Sequence, residues 1–503
     1  MRTKKLNTYF KLFIVIIFTL SPFDLFPQEK NMNVLLILVD DLRPSIGAFG
    51  DRLAITPNLD KFAKQAHVFE KAYSNQAVCV ASRYNLLLGA RSTSTGLYDF
   101  GRDFRDFYPN ATTLPELFKN AGYHSEAIGK VFHVGHNNYN DEQSWSFPHY
   151  HDKVIEYVDK SSPKLTREEA LFSNVPWNDA NKLLKGVAWE KLEVPDDVYA
   201  DGRVANRAIT RLEDLKKTEQ PFFMAIGFAR PHLPFSVPKR YWDLYKEEDF
   251  KDFGSISYPE NAPNFAIKRD GEISQYEGIP LANTTHPFPE PLALKLRHGY
   301  YAGVSYVDVQ IGKVIEKLKK EGLDKNTIVV LWGDHGYLLG EMGMWTKHVN
   351  YELANHIPIM VYHPDYTKGK KTKALIETVD IYPTLTDMCG LNSSIVKQPL
   401  DGKSLKTIIT GKEKSVKNHV YHCFPRDGRL GEAIRTKDYR LVRWAPLNGK
   451  GNAVYELYYY KKGLIETHNI WRKDHPAFKE LLTILDKYPS PLAMRPESPR
   501  REK

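Results

Sequence analysis

The chain has 503 residues, of which 42% are apolar and 26% charged, with 31 glycines and 31 prolines, and this composition excludes a disordered, low-complexity or fibrous protein. Its length is sufficient for a large buried core, and we expect one large domain and one small one. The net charge of +9 arises from 70 Lys and Arg against 61 Asp and Glu that are spread along the chain, which argues against nucleic acid as the partner and favours small or polymeric anions.

The N-terminal segment has the pattern of a secretory signal peptide. Basic residues precede an apolar run over 12–20, and polar and turn-forming residues follow it. That run is about half as long as a bilayer-spanning helix requires, which disfavours a membrane anchor. We therefore predict a signal peptide over residues 1–28, no transmembrane span, and a secreted or periplasmic protein.

The first predicted strand, at residues 34–39, ends in two adjacent carboxylates. Its residues are continuously apolar, which is typical of a parallel strand buried on both faces. Asp40 and Asp41 would repel each other at the end of this strand unless a cation lay between them, and a hard divalent ion is the usual solution. A solvated turn is the alternative interpretation of this pair taken by itself.

Three further predicted strands lead into ionisable side chains. They are 123–128, followed by Lys130 and His133; 222–228, followed by His232; and 327–332, followed by Asp334 and His335. Helical patterns between the strands, at 114–120 and 306–321, indicate a mostly parallel sheet with helices on both faces. Because ligands bind at the carboxyl ends of the strands in such sheets, these side chains are expected to meet at one edge.

The rest of the chain predicts long loops and a small C-terminal sheet. Residues 135–200 and 233–298 have weak periodicity and are expected to form loops over the active edge. After about residue 425 the pattern changes to short β-prone pieces and a final helix, at 432–434, 439–444, 454–460 and 476–487. We predict a catalytic domain over residues 29–425 and a small antiparallel-sheet subdomain over residues 426–503.

Cys79 begins a predicted helix that carries Arg83 one turn later. A side chain at a helix N-terminus lies in the positive field of the helix dipole, beside free backbone N–H groups, so this segment would form an anion pocket. A lone cysteine considered by itself is more often a buried structural residue. With Cys389 and Cys423 the chain has 3 cysteines, too few and too scattered for a disulfide scaffold or a zinc ribbon. Whether Cys389 and Cys423 pair stays open.

The segment that starts at this cysteine reads Cys79-Val80-Ala81-Ser82-Arg83 and continues through a leucine-rich stretch to Gly89 and Arg91. It resembles the formylglycine signature of type I sulfatases. Four other motifs follow the order and spacing of that family: Asp40-Asp41, Gly129-Lys130, Gly333-Asp334-His335-Gly336 and Trp345-Thr346-Lys347-His348. Three runs are most similar to the iduronate-2-sulfatase-related group, namely residues 94–100, 130–133 and 230–235.

The resemblance implies a fold, a cofactor and an activity. The fold would be alkaline-phosphatase-like, with a large mixed, mostly parallel sheet flanked by helices and a smaller C-terminal α+β subdomain. The activity would be that of a sulfuric ester hydrolase, with Cys79 oxidised to formylglycine by a formylglycine-generating maturation enzyme. One Ca²⁺ ion would be held by Asp40, Asp41, Cys79, Asp334 and His335. Two positions depart from the usual family pattern: Ala81 stands where proline is commoner, and His335 where asparagine is.

Hydrolysis of a sulfate ester requires cations around the sulfate oxygens while sulfur is attacked. The predicted sulfate-binding residues are Lys130, Lys347 and His232, together with the metal ion. Arg83 is expected to orient the hydrated aldehyde of residue 79, whose hydroxyl attacks sulfur. His232 would protonate the leaving alcohol, and His133 would accept a proton from the second hydroxyl as sulfate is released.

Two other functions remain as alternatives. A phosphoesterase or phosphonate hydrolase of the same architecture usually needs ligands for two zinc ions, whereas this sequence offers enough for one metal. A non-catalytic polyanion-binding protein would keep the fold, but every expected catalytic residue type is present. The resemblance to the iduronate-2-sulfatase-related group implies a substrate that contains uronic acid, and we expect a sulfated polysaccharide or its oligosaccharides, such as ulvan or a glycosaminoglycan. Nucleic acid is not expected as a partner.

Overall fold

The computed structural model describes residues 32–253, 257–268, 271–281, 288–461 and 463–501. The predicted signal peptide therefore lies outside the described residues. Asn31–Lys503 folds as one unit. Within the described ranges, no helix is both long and apolar enough to cross a bilayer.

Strands and helices alternate along most of the described chain. The strands are β1 (Asn33–Val39), β2 (His67–Tyr73), β3 (His124–Gly129), β4 (Trp189–Leu192), β5 (Phe222–Phe228), β6 (Phe235–Pro238), β7 (Thr327–Gly333), β8 (His356–Tyr362), β9 (Lys370–Glu377), β10 (His419–Arg426), β11 (Arg429–Thr436), β12 (Tyr439–Pro446) and β13 (Val454–Tyr459). The α-helices are α1 (Pro57–Ala63), α2 (Cys79–Leu88), α3 (Ser92–Thr95), α4 (Phe104–Phe107), α5 (Leu114–Asn120), α6 (Arg167–Phe172), α7 (Trp177–Ala180), α8 (Ala200–Leu215), α9 (Lys239–Trp242), α10 (Glu290–Lys320), α11 (Glu352–Asn355), α12 (Ile381–Met388), α13 (Lys406–Ile409) and α14 (Pro476–Leu485).

The large sheet has the strand order β3-β5-β1-β7-β8-β2-β9. Its pairs are parallel except that β8 runs antiparallel to both β7 and β2. In the centre of the sheet, Leu36 of β1 lies opposite Ala225 of β5 and Val330 of β7. All residues of β1, β5 and β7 are buried, which explains their continuous apolar sequences. The predicted mixed, mostly parallel sheet is confirmed.

Helices cover both faces of this sheet, as predicted. On one face, α1, α8 and α10 pack against the side chains of alternate strand residues, such as Leu35 and Ile37 of β1. On the other face, α2, α5 and α12 pack against the intervening residues, such as Leu36 and Leu38. Because both faces are covered, polar groups can reach solvent only from the ends of the central strands.

The two regions predicted as long loops contain elements that the periodicity did not indicate. The first contains α6 and β4, and the second contains β6 and α9. The predicted helical segment at 306–321 lies in α10, but this helix begins at Glu290, so the prediction of a loop over residues 290–298 was wrong. Its N-terminal half is buried on nearly all sides, from Ala293 to Tyr306. A helix that is buried on all sides has no polar face, so its sequence lacks the amphipathic pattern by which a helix is usually predicted.

The C-terminal sheet is antiparallel, with the order β10-β11-β12-β13, and α14 packs against it. The predicted small antiparallel sheet with a helix is confirmed. Its first strand, β10, begins at His419, before the predicted boundary at residue 426. The division into two domains stays a prediction. The thiols of Cys79, Cys389 and Cys423 are free, so Cys389 and Cys423 do not pair.

Candidate active site

The carboxyl ends of β1, β3, β5 and β7 meet at one edge of the large sheet. The backbone hydrogen bonds between neighbouring strands continue one residue past the strand ends: Asp40 N donates to Phe228 O at 3.2 Å, and Asp334 N donates to Val39 O at 3.1 Å. Asp41 then turns the chain in the left-handed region, with a φ of 58°, and its N–H donates to Asp334 Oδ1 at 3.0 Å. The acidic residues that follow β1 and β7 are thereby brought together, as the strand order predicts.

Arg83 lies fully buried against two of these carboxylates. Its Nη2 lies 3.2 Å from Asp40 Oδ1 and 3.0 Å from Asp334 Oδ2. Its Nη1 donates to the carbonyl oxygens of Lys130 and Val131. Among the described residues Arg83 makes no hydrogen bond to Cys79, although the two side chains are close enough to interact electrostatically.

Cys79 is the first residue of α2, as predicted, and it is buried at this edge of the sheet. Its Sγ lies 3.2 Å from His335 Nε2. Burial raises the pKa of the Cys79 thiol well above its usual value, and Asp40 raises it further, whereas Lys347 and Lys130 lower it. The unmodified side chain is therefore a neutral thiol at physiological pH, and a thiol is a much weaker nucleophile than a thiolate.

Two overlapping sets of donors at this edge could hold one metal ion. They are Asp40, Cys79, Asp334 and His335, and Asp40, Asp41, Cys79 and His232; the ligand atoms within each set lie within 4.8 Å of one another. Burial raises the pKa of Asp41 and of Asp334, and the neighbouring charge of Asp40 raises both pKa values further. A divalent cation would relieve this repulsion, and carboxylate oxygens suit a hard ion.

His335 has the protonation state that a metal ligand needs. Its Nδ1 lies 3.0 Å from Gly336 O, and donation to that carbonyl leaves the Nε2 lone pair available on the side of Cys79. Burial and, to a smaller extent, the charge of Lys347 lower the pKa of His335 to about 3. The histidine that replaces the usual asparagine is therefore neutral, and the donor set fits a single divalent cation.

Lys347 lies on the pocket side of Asp41. Its Nζ is 3.0 Å from Asp41 Oδ1 and 3.0 Å from Glu272 Oε2. Burial by itself would lower the pKa of Lys347, but Asp41 and Glu272 hold it well above its usual value, so the ammonium group is charged. The other predicted sulfate-binding lysine, Lys130, forms an ion pair with Asp40. Both lysines therefore bring positive charge to the same end of the sheet.

His232 and His133 line the same pocket as Cys79. His232 Nδ1 lies 2.5 Å from Leu233 O, and its Nε2 lies 3.5 Å from Glu272 Oε1. His133 Nε2 lies 3.2 Å from His136 Nδ1, and His133 Nδ1 is buried without a hydrogen-bond partner among the described residues. Burial lowers the pKa of both His133 and His232; Lys130 lowers that of His133 further, whereas Glu272 opposes the change at His232.

A pocket of about 230 Å³ opens beside Cys79. The two long regions predicted to cover this edge supply much of its wall, including Arg167, Phe172, Trp177, Lys268, Glu272 and Tyr276. Sequence reasoning missed Glu272 and His136. Glu272 lies in a short 3-10 turn, Glu272–Gln275, far from any strand end, so no local signal marked it. The structure thus brings all the predicted site residues to one edge, and their individual roles stay predictions.

The fold and this site define a hydrolase of the alkaline-phosphatase-like class. The family model described as "Sulfatase" matches residues 32–391. A second model, "N-sulphoglucosamine sulphohydrolase, C-terminal", matches residues 340–488. The chain belongs to the sulfatase family and is a sulfuric ester hydrolase.

Two relatives show how far the similarity extends. Iduronate 2-sulfatase of Homo sapiens is 31% identical in an alignment that covers 88% of this chain and 91% of that protein. An "Ulvan-active sulfatase" of Formosa agariphila is 28% identical over 430 residues, which cover 83% of this chain and 73% of that protein. The residues that the family model matches, 32–391, include all strands of the large sheet and the loop regions that line the pocket.

Solved structures share the fold at lower identity. A protein in complex with its substrate D-glucosamine-2-N,6-O-disulfate superposes with a TM-score of 0.68 at 21% identity, over 91% of this chain and 97% of that one. A phosphonate monoester hydrolase of Agrobacterium radiobacter superposes with a TM-score of 0.68 at 18% identity, over 90% and 94% of the two chains. The predicted alkaline-phosphatase-like fold is confirmed.

Proposed function

We propose that this sulfatase is exported and hydrolyses sulfate esters of a uronic-acid-containing sulfated polysaccharide or its oligosaccharides. The observation that carries the proposal is that Cys79, His133, His232 and Lys347 line one pocket, since a nucleophile position, two proton carriers and a sulfate-binding cation must share one site. The names of the relatives, which include an iduronate sulfatase and an ulvan-active sulfatase, support a sulfated saccharide as substrate.

The divalent cation would be held by Asp40 and Asp41 after β1, by Asp334 and His335 after β7, and by residue 79 at the start of α2. When bound, it would polarise a sulfate oxygen and lower the pKa of an oxygen nucleophile. Calcium is the ion that the family resemblance implies, and the predominance of carboxylate donors supports it. Arg83 would keep Asp40 and Asp334 in position, because its two contacts hold both carboxylates on the same side.

Residue 79 would be formylglycine in the mature enzyme. Hydrated, this group would supply one hydroxyl for attack on sulfur and a second whose deprotonation releases sulfate. The high pKa of the Cys79 thiol supports the need for such a change, because the unmodified side chain is a poor nucleophile. The maturation enzyme would have to accept Ala81 within the signature.

The lysines would hold the sulfate during attack. Lys347 carries a charge that is stabilised by Asp41 and Glu272, and Lys130 is fixed by its ion pair with Asp40. Because these partners restrain both ammonium groups before substrate binds, they need little reorganisation when negative charge develops on the sulfate oxygens.

The two histidines would move the protons. His232 Nε2 would donate to the leaving sugar oxygen; burial lowers the pKa of His232, but Glu272 opposes this change, and a bound sulfate would add further negative charge beside it. His133 would act as the base: burial and Lys130 lower its pKa, which keeps the imidazole unprotonated and able to accept a proton, and its Nδ1 has no other partner among the described residues.

Desulfation of a panel of defined sulfated oligosaccharides tests this function. We expect turnover of one or more uronic-acid-containing members, together with formylglycine in the peptide around residue 79 by mass spectrometry. Faster hydrolysis of an aryl phosphonate than of any sulfate ester would instead support the phosphonate-hydrolase alternative. Binding of the oligosaccharides with an unmodified thiol at position 79 and no turnover would support a non-catalytic polyanion-binding protein.

A further inference from the structure

A second large concavity lies along the edge strand β9, and lysines surround it. This groove, which we call the β9 groove, has a volume of about 910 Å³. Its lining includes Lys370 and Lys373 of β9, Lys71 of β2, Lys414 from the loop after α13, and Lys437 from the turn after β11. Four separate segments of the chain thus bring ammonium groups to one groove.

These five lysines differ from Lys417 and Arg435, which also line the groove. Lys417 lies 2.7 Å from Glu377, and Arg435 lies 2.8 Å from Glu352, so both of those charges are neutralised by buried carboxylates. Across the described ranges, none of the five lysines named above forms an ion pair. The lining also contains Lys371 and two acidic residues, Glu413 and Asp438, so lysines outnumber carboxylates and the groove carries a net positive charge.

Protection of a sheet edge explains only part of this arrangement. Lysines on an exposed edge strand prevent pairing with another chain, which would account for Lys370 and Lys373. It does not account for Lys71 on the neighbouring strand, or for Lys414 and Lys437, which belong to a loop and a turn. Burial lowers the pKa of Lys71, and Arg435 and Lys373 lower it further although Glu352 opposes this. A bound anion would relieve that repulsion.

The β9 groove is separate from the active site. β9 runs in the same direction as β1 and β7, because β8 reverses the direction once and β2 restores it. Lys370 lies opposite His67 at the start of β2, towards the amino ends of the strands, whereas the pocket lies at the carboxyl ends. Four strand spacings separate β1 from β9, which is about 19 Å across the sheet.

We propose that the β9 groove binds a sulfated segment of the polysaccharide at a distance from the bond that is hydrolysed. The identity of this ligand rests on the proposed function of the active site. Single-stranded nucleic acids usually need exposed aromatic rings on which bases stack, and the aromatic residue of the lining, Tyr460, is 7% exposed. A polymer held at this groove has a raised effective concentration at the active site, whereas a monosaccharide gains nothing.

A charge-matched pair of variants tests the proposal. One variant carries Lys370→Ser, Lys373→Ser, Lys414→Ser and Lys437→Ser in the groove. The control carries the same change at four exposed lysines elsewhere: Lys216, Lys320, Lys473 and Lys479. We expect the groove variant to elute from immobilised heparin at lower salt than the control, and its KM for a sulfated polysaccharide to rise on the order of tenfold. Turnover of 4-nitrocatechol sulfate should stay unchanged in both.

Equal loss of heparin retention in both variants overturns the proposal, because retention would then depend on the total charge of the protein rather than on the groove. No loss in the groove variant also overturns it, because the groove lysines would then not bind heparin. Duplex DNA should displace the wild type from immobilised heparin less effectively than heparin fragments do. If it displaces the protein equally well, the proposal is overturned in favour of nucleic acid. Heparin retention needs no turnover, so absence of sulfatase activity with normal retention contradicts the proposed function alone. Unchanged melting temperatures verify that the variants are folded.

Discussion

Glu272 Oε2 lies 3.0 Å from Lys347 Nζ, so the lysine predicted to bind sulfate already holds a carboxylate. The other oxygen of Glu272 lies 3.5 Å from His232 Nε2. The same carboxylate therefore faces both the predicted sulfate-binding cation and the predicted acid. A sulfate ester that enters the pocket must share these groups with Glu272 or displace it from them.

Glu272→Gln is expected to strengthen substrate binding. Removal of the charge takes away both a competitor for Lys347 and a repulsive neighbour of the sulfate, and like charges in contact are costly. We expect KM for a sulfate ester, and the inhibition constant for inorganic sulfate, to fall on the order of tenfold. Glu277→Gln, an exposed residue of the same segment, is the control. A higher KM in Glu272→Gln would instead mean that Glu272 binds the sugar.

Part of this site could be predicted from the sequence because of one topological rule. Asp40, Lys130, His232 and Asp334 each follow a buried strand, and the carboxyl ends of parallel strands meet at the same edge. Their proximity therefore needs no knowledge of the loops. The antiparallel direction of β8 could not be predicted in this way, since its residues are as apolar and as buried as those of the parallel strands.

Glu272 and His136 could not be predicted, because loop conformation alone brings them to the site. Glu272 belongs to a short turn, and His136 has a left-handed backbone with a φ of 52°. Neither position repeats with the period of a helix or strand, and the partners of Glu272, which are His232 and Lys347, lie far away from it in the chain. Such contacts depend on the packing of the whole loop rather than on a local pattern.

Cys79→Ser is expected to abolish multiple turnover and leave the fold intact. A serine hydroxyl occupies less space than the thiol in the buried first turn of α2, so the packing is preserved. It offers one hydroxyl, however, and cannot supply the second hydroxyl that releases sulfate. Multiple-turnover kinetics, with the melting temperature as the control for folding, check this prediction. Sustained turnover by the serine variant would rule out the formylglycine mechanism.

Chelation is expected to lower both activity and thermal stability. Without a cation, the buried carboxylates of Asp40, Asp41 and Asp334 repel one another, which lowers the free energy of unfolding. Calcium at about 100 times its dissociation constant should restore about 2.7 kcal/mol. Differential scanning fluorimetry and turnover after dialysis against EDTA measure the two effects. Better restoration by zinc than by calcium would favour the phosphatase-like alternative.

Asp308 predicts a pH dependence of stability that is unrelated to the active site. It lies on α10, and its carboxylate accepts hydrogen bonds from the N–H groups of Asn58 and Leu59 at the start of α1. Burial raises its pKa from 3.8 to about 6, although these bonds oppose the shift. A carboxyl group whose pKa is raised by folding contributes its full stabilisation when the pH is below its pKa in the unfolded chain. This contribution is lost as the pH rises through about 6, the pKa in the folded protein.

The free energy of unfolding should therefore fall by up to about 3 kcal/mol between pH 4 and pH 7 because of this one group. Asp308→Asn should flatten that slope, whatever its effect on absolute stability. Urea titrations at several pH values measure the slope, and Asp474→Asn, at an exposed aspartate, is the control. A slope that is the same in Asp308→Asn and in the wild type would contradict the raised pKa.

Lys347 and His232 should respond differently to the leaving group of the substrate. Lys347 carries a charge that attracts the sulfate in both the ground state and the transition state, so Lys347→Ala should raise KM and lower kcat with every substrate. His232 is predicted to act on the leaving oxygen. A phenolic sulfate departs without a proton, so His232→Ala should reduce its turnover much less than that of a sugar sulfate. The difference should reach about 10²–10⁴-fold, which is the usual contribution of general acid catalysis.

Steady-state kinetics of both variants with a phenolic and a sugar sulfate give the comparison. His124→Ala serves as the control, because this histidine pairs with Glu126 at the start of β3, at the opposite end of that strand from the pocket. If His232 only contacted the bound sulfate, His232→Ala would lower kcat equally with the two substrates. Equal losses would therefore remove His232 from the acid role and assign it to sulfate binding alone.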